Sequence, residues 1–231
     1  MKTHSPHYRH EFKYIISEEM MAVIQNQIKA VIPLDPHVGH AGMYSIRSVY
    51  FDDYQDSCYY DNENGVDPRE KYRIRIYNCS DAQIKLECKR KQQEKTLKKS
   101  CSLTREETIQ LISCNPLPIG QNQPPVLQKF LSNMVLRLMR PTTIVEYQRI
   151  PYIYPTGNVR VTFDTHIVSS KDYGHFFDSH IVSRPIMPKG FHLMEVKYDD
   201  FLPEFIYNSL YIDGLERTAF SKYYLCRKYN F

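Results

Sequence analysis

The chain contains no tryptophan, no pair of cysteines at C-x-x-C spacing, and nowhere the run of about 18 successive apolar residues that a membrane-spanning helix requires. The missing pairs leave a zinc or disulfide framework without support. The six cysteines (Cys58, Cys79, Cys88, Cys101, Cys114, Cys226) read instead as free thiols in a reducing compartment. No apolar run follows the lysine of "MKTHSPHYRHEFKY", so no secretory signal is expected and the reading places the chain in the cytoplasm. Charge of one sign is scarce too: 30 Lys and Arg face 26 Asp and Glu, a net +4, too mild to argue for a nucleic-acid protein. Any functional positivity must come from clustering. Internal repeats and long linkers are missing, and Ser113 to Pro125 reads as a loop between helices.

What is present is alternation. "KYRIRIYN", Lys71 to Asn78, puts Lys71, Arg73 and Arg75 on one side and Tyr72, Ile74 and Ile76 on the other. Five further stretches do the same. "YRHEFKYII" sets Arg9, Glu11 and Lys13 against Tyr8, Phe12 and Tyr14. "QIKLECKRK" sets Lys85, Glu87, Lys89 and Lys91 against Ile84, Leu86 and Cys88. "VEYQRIPY" offers Tyr147 and Arg149 more weakly. "NVRVTFDTHI" sets Arg160, Thr162 and Asp164 against Val159, Val161 and Phe163, and "FHLMEVKYD" sets Glu195 and Lys197 against Met194 and Val196. "SIRSVYFDD", Ser45 to Asp53, adds a seventh strand.

Helices intervene. Ser17 caps one that runs toward Pro33 with Met20, Ile24, Ile28 and Val31 on its apolar stripe. Thr104 with Glu107 forms a capping box for a helix through Ile112. Val126 to Met139 is a longer helix with Val135 and Leu138 on its apolar face, and Leu215 to Lys228 is another. The class is α+β, one domain over residues 1–231, dominated by antiparallel strands. A solvated face is the ordinary reading of any single charged strand. For the set, a closed barrel answers better: its apolar outer wall is covered by helices and its lumen is wet and cationic. Like charges across such a lumen demand an anion, and an extended, multiply charged one fits best. Arginines would fork onto phosphate oxygens, and a carboxylate among them makes sense as a ligand for magnesium or manganese.

These residues carry a family resemblance. "YRHEFKYIIS", "SVYFDD", "YRIRIYN", "LECKRK", "VEYQR", "VRVTFDTHI", "LMEVKYD" and "SKYYL", in order along nearly the whole chain, resemble the triphosphate tunnel metalloenzymes. The similarity is greatest to their vacuolar-transporter-chaperone branch, whose catalytic member makes polyphosphate from ATP; the resemblance implies a closed, antiparallel eight-stranded barrel, a tunnel lined with basic residues. The resemblance implies that Arg73 and Arg75 grip the triphosphate, with Lys89, Arg149, Arg160 and Lys222 completing the catalytic set. It implies substrate contacts from Lys13, Lys98, Lys197, Glu11, Glu87 and Tyr147, with Lys99 open as the alternative to Lys98, and a Mn2+ or Mg2+ ion on Glu195. A departure is Arg9, where the cyclase and thiamine-triphosphatase branch has the first glutamate of E-x-E-x-K; R-x-E-x-K means fewer carboxylates and more grip on phosphate.

The expected activity is transfer of the ATP γ-phosphoryl to phosphate or polyphosphate. A triphosphatase of the same fold and a non-catalytic polyphosphate-binding module are the alternatives. ATP, inorganic phosphate or triphosphate, and polyphosphate are the expected partners. No nucleic acid is expected, because the basic strands carry no regular aromatic platform. A membrane-protein partner stays open.

Overall fold

The computed structural model describes residues 10–39, 41–92, 95–211 and 213–229. Tyr8 and Arg9 of the first alternating stretch lie outside them. In chain order the elements are β1 (His10–Ser17), α1 (Glu18–Ile28), β2 (Tyr44–Asp52), α2 (Ser57–Glu63), β3 (Arg69–Tyr77), β4 (Ser80–Gln92) and β5 (Lys95–Ser102). They continue with α3 (Arg105–Ile112), α4 (Pro125–Leu136), β6 (Arg140–Tyr154), β7 (Val159–Ser170), the two-residue β8 (Arg184–Pro185), β9 (Phe191–Tyr198), α5 (Glu204–Leu210) and α6 (Lys222–Lys228). All seven expected strands form.

The strands order as β1-β9-β7-β6-β2-β3-β4-β5, with β8 beside β7. The ladders from β1 to β9, β9 to β7, and β2 through β5 are antiparallel. This order is an open path ending at β1 and β5, so the expected closure into an eight-stranded barrel is not part of it. The reason is physical: alternation fixes which face a side chain takes, but says nothing of which edge meets which.

By contacts the chain divides into two compact units, each built from three segments. The first comprises 1–45, 147–167 and 187–220; the second comprises 46–146, 168–186 and 221–231. Each has its own core. In the first, Ile24 and Ile28 of α1 and Ile206 and Leu210 of α5 meet Val159, Val161 and Phe163 of β7 and Met194 and Val196 of β9. In the second, Phe130, Leu131 and Met134 of α4 and Leu111 of α3 cover Val49, Phe51, Tyr72, Ile74, Ile84 and Leu86. The apolar half of each alternating strand is therefore the helix-covered half, as the sequence requires.

Helix ends differ from the sequence reading. Ser17 caps α1 through Met20 N, but the helix stops at Ile28, and Val31 is 37% exposed while Ile32 takes the buried place. α4 ends at Leu136; Leu138, already past it at φ 49°, is exposed, as is Val135. α6 occupies only the last part of its expected span, while α2 and α5 are additions, each seven residues long and too short to show a full apolar period. Among the described residues no helix is long and apolar enough to cross a membrane. At α3 the capping box is complete: Thr104 Oγ1 accepts from Glu107 N (3.1 Å) and Glu107 Oε2 accepts from Thr104 N (2.8 Å). Thr104→Ala should therefore cost about 1 kcal/mol, read as a lower urea midpoint at unchanged m-value.

Candidate functional site

In the second unit the register stacks the charged halves of β2 to β5 into rows. One row is Ser48, Arg75, Lys85 and Ser102; the next is Tyr50, Arg73, Glu87 and Ser100. Lys71, Lys89 and Lys98 then stand directly opposite one another on β3, β4 and β5. Residues opposite in register share a face, and the opposite face is the helix-covered core, so these side chains project together. These three rows hold six cations on β3 to β5 against one carboxylate, Glu87. The guanidiniums do not splay into water. Arg75 is 9% exposed, and the Arg73 side chain is 20% exposed.

Glu87 organises the face. Arg73 Nε donates to its Oε2 (2.7 Å), Lys98 Nζ donates to its Oε1 (3.0 Å), and Arg73 also reaches Tyr50 Oη (2.9 Å). Arg75 Nε donates to Ser48 Oγ (3.1 Å). Burial works to raise the Glu87 carboxyl, but Arg73, Arg75 and Lys98 outweigh it and hold it at about 2. Register also decides between the two lysines left open: Lys98 lies on the face of Glu87, whereas Lys99 stands opposite Cys88 on the other face. Lys71 donates to Asn62 Oδ1 (2.6 Å) and to Ser221 Oγ (3.3 Å), which caps α6; Lys222 is the first residue of that helix.

The first unit gathers a different set. Lys13 on β1 pairs in register with Glu195 on β9, and Glu195 with Thr162 on β7; Glu11, Lys197 and Arg160 form the adjacent row. Arg149 donates two bonds to Asp164, both 2.7 Å, and lies 3.6 Å from Glu195. Glu195 accepts from Lys197 (2.8 Å) and lies 3.9 Å from Lys13, which is 3.1 Å from Glu11 and donates to Phe220 O. Burial pulls the Arg149 guanidinium down, but Asp164, Tyr147 and Glu195 more than offset it and hold it firmly charged. Tyr147 is buried, its ring centre 5.3 Å from that guanidinium. Arg160 is half-exposed and donates to the buried Asp35 (3.0 Å).

Four cations (Lys13, Arg149, Arg160, Lys197) thus meet four carboxylates (Glu11, Asp35, Asp164, Glu195). Sequence reasoning placed Asp164 on the charged face but gave it no role, and it missed Asp35, which lies outside any alternating stretch. Thr162 Oγ1, opposite Glu195, is buried without a hydrogen-bond partner among the described residues. No group of three or more His, Cys, Asp or Glu side chains that could hold a metal occurs among the described residues. A divalent ion that brings phosphate oxygens of its own needs only one or two carboxylates, and Glu195 with Glu11 supplies that number.

The fold is shared with solved structures of two proteins of low sequence identity. A putative adenylate cyclase from Bacillus halodurans superposes with TM-score 0.52 at 15% identity, covering 88% of this chain and 86% of its own. A putative adenylyl cyclase from Hippeastrum, described as having a dominant triphosphatase activity, gives 0.55 at 13%, covering 96% and 95%. No curated protein sequence matches the chain. The VTC domain family matches residues 8–231, and the chain belongs to that family.

Two predictions follow from this geometry. Asp164 is fully buried, so Arg149→Ala strands an uncompensated charge and should destabilise the protein by about 3–5 kcal/mol, with Arg149→Ala/Asp164→Ala together costing less than the single change, measured by urea denaturation. Glu87, held below its ordinary 4.5, contributes stability that is present above that value and lost as pH falls toward 2. Glu87→Gln should remove that stretch of the acid dependence, seen in urea midpoints collected across the same pH interval.

Proposed function

We propose that the protein is a polyphosphate-polymerase-like phosphotransferase that moves the γ-phosphoryl group of ATP to phosphate or to the end of a polyphosphate chain. The observation that carries this reading is the row Lys71, Lys89 and Lys98. Like charges directly opposite on adjacent strands destabilise a sheet, and a ligand bearing several negative charges turns that cost into affinity. Arginines at 73 and 75 sit one and two rows away, where their forked donors suit phosphate oxygens.

Phosphoryl transfer needs little from a protein beyond alignment and charge stabilisation. The bond from the γ-phosphorus to the ADP oxygen breaks as a bond to the acceptor oxygen forms, and ADP departs. The acceptor phosphate is already ionised near neutral pH, so no general base and no covalent protein intermediate are required. Arg73, Arg75 and Lys89 hold the phosphates, Arg149 and Arg160 take the parts the family resemblance gives them, and Lys13 and Lys222 serve the acceptor or product end. A bound manganese or magnesium ion would neutralise phosphate charge, and Glu195 with Glu11 would hold it. A closed tunnel is the form of the sheet that suits this chemistry, because it keeps water from the acceptor position.

Hydrolysis is the second reading, favoured by the triphosphatase activity in the description of the Hippeastrum protein. The two part on the acceptor. Purified protein with ATP and Mn2+ should yield ADP and polyphosphate resolved by size on a gel; orthophosphate alone would make it a triphosphatase, and binding without turnover would make it neither. Lys89→Met tests the row directly: it should lower kcat/KM by about tenfold or more, with the urea midpoint of the ligand-free protein checking that the fold is kept.

A further inference from the structure

Beyond the three-lysine row, the same face of β3 and β4 continues. Arg69 stands opposite Lys91, and Lys91 opposite Thr96 on β5. Successive rows are two residues apart, about 6.8 Å along the strands, so the cationic face from Arg75 to Arg69 extends about 20 Å. Exposure rises in the same direction along β4: Glu87 is buried, Lys89 half-buried and Lys91 exposed. Lys91 makes no side-chain hydrogen bond or ion pair among the described residues, and Arg69 gives one bond to Val66 O at 3.2 Å. The row carries no carboxylate. We infer that Arg69 and Lys91 form an outer anion subsite that holds phosphates of a chain extending past those gripped by the inner rows.

This rests on the phosphotransferase reading and sharpens it. A hydrolase acting on a short triphosphate gains nothing from cations further along the face, whereas an enzyme that keeps a lengthening chain does. Charges repeated along one strand direction match an anion whose charges repeat along its backbone, and each contact that releases a counterion strengthens binding at low salt. Exposure at the outer row is also what a chain leaving the buried rows requires, because the same anion must pass from buried donors to solvent.

The test uses the full chain and two probes, inorganic tripolyphosphate and long-chain polyphosphate, titrated by calorimetry in EDTA over a range of salt. Long chains bind more tightly in any case, since they offer many overlapping stretches, so the readout is the change on substitution. For Arg69→Gln/Lys91→Gln, affinity for the long chain should fall at least about fivefold and its salt slope by about one unit, with tripolyphosphate affinity unchanged. Lys91→Gln alone, at an exposed position, should show the same effect in smaller measure and guards against misfolding of the double variant. Equal losses for both probes, or no loss for either, would overturn the outer subsite while leaving the phosphotransferase reading intact. Failure of the unaltered protein to bind either probe would overturn both.

Discussion

Like-charge repulsion across a β-ladder is the constraint on which the rest of this structure turns. Lys71, Lys89 and Lys98 face one another on three adjacent strands, within three rows that hold six cations and one carboxylate. A solvated sheet could disperse such a face, but Arg75 and Glu87 are withdrawn from water, where charge interactions strengthen and unanswered charges cost most. Glu87 therefore serves as an internal counter-ion for Arg73, Arg75 and Lys98, and its strongly lowered pKa measures the field they impose. These three rows carry more positive than negative side-chain charge, which suits the extended, multiply charged anion proposed above.

The two units resolve the charge problem differently. Around Glu195 the cations and carboxylates are matched four to four, and every cation already touches an acid of the protein. Arg149 illustrates the consequence. Its two bonds to the fully buried Asp164 make it part of the framework of the first unit, so a loss of activity on substituting it would mix lost stability with lost contact. The outer end of the cationic ladder in the second unit is the cleaner place to measure affinity, because Lys91 there is exposed and makes no ion pair among the described residues.

How much of this was legible in the sequence follows from what alternation encodes. The faces of β1, β3, β4, β7 and β9 could be read because a period of two assigns each side chain a side, and the buried partners Ile74, Leu86, Phe163 and Met194 lie where it put them. Edges were not legible, since the pairing of strands depends on register and on contacts distant in sequence; hence the open strand order and the unannounced length of β6. Lys98 could not be told from Lys99 because "TLKKS" is polar on both sides; only the ladder to β4 separates them. Asp35 was invisible for a related reason: it belongs to no periodic segment, and its value comes from meeting Arg160 across 125 positions of chain.

The same bookkeeping of charge bears on the metal. A naked divalent ion needs several oxygen donors that are not already neutralised, and Glu195 accepts from Lys197 while lying close to Arg149 and Lys13. Binding an ion there in the absence of substrate would set a double positive charge among three cations. Phosphates of the proposed substrate would bring oxygens and negative charge together and would offer the lysines beside Glu195 other partners. Glu195 would then be free to serve as a ligand in the same event that neutralises its surroundings. Metal and polyanion binding should on this argument be positively coupled, with the carboxylate held in reserve by cations until the substrate displaces it.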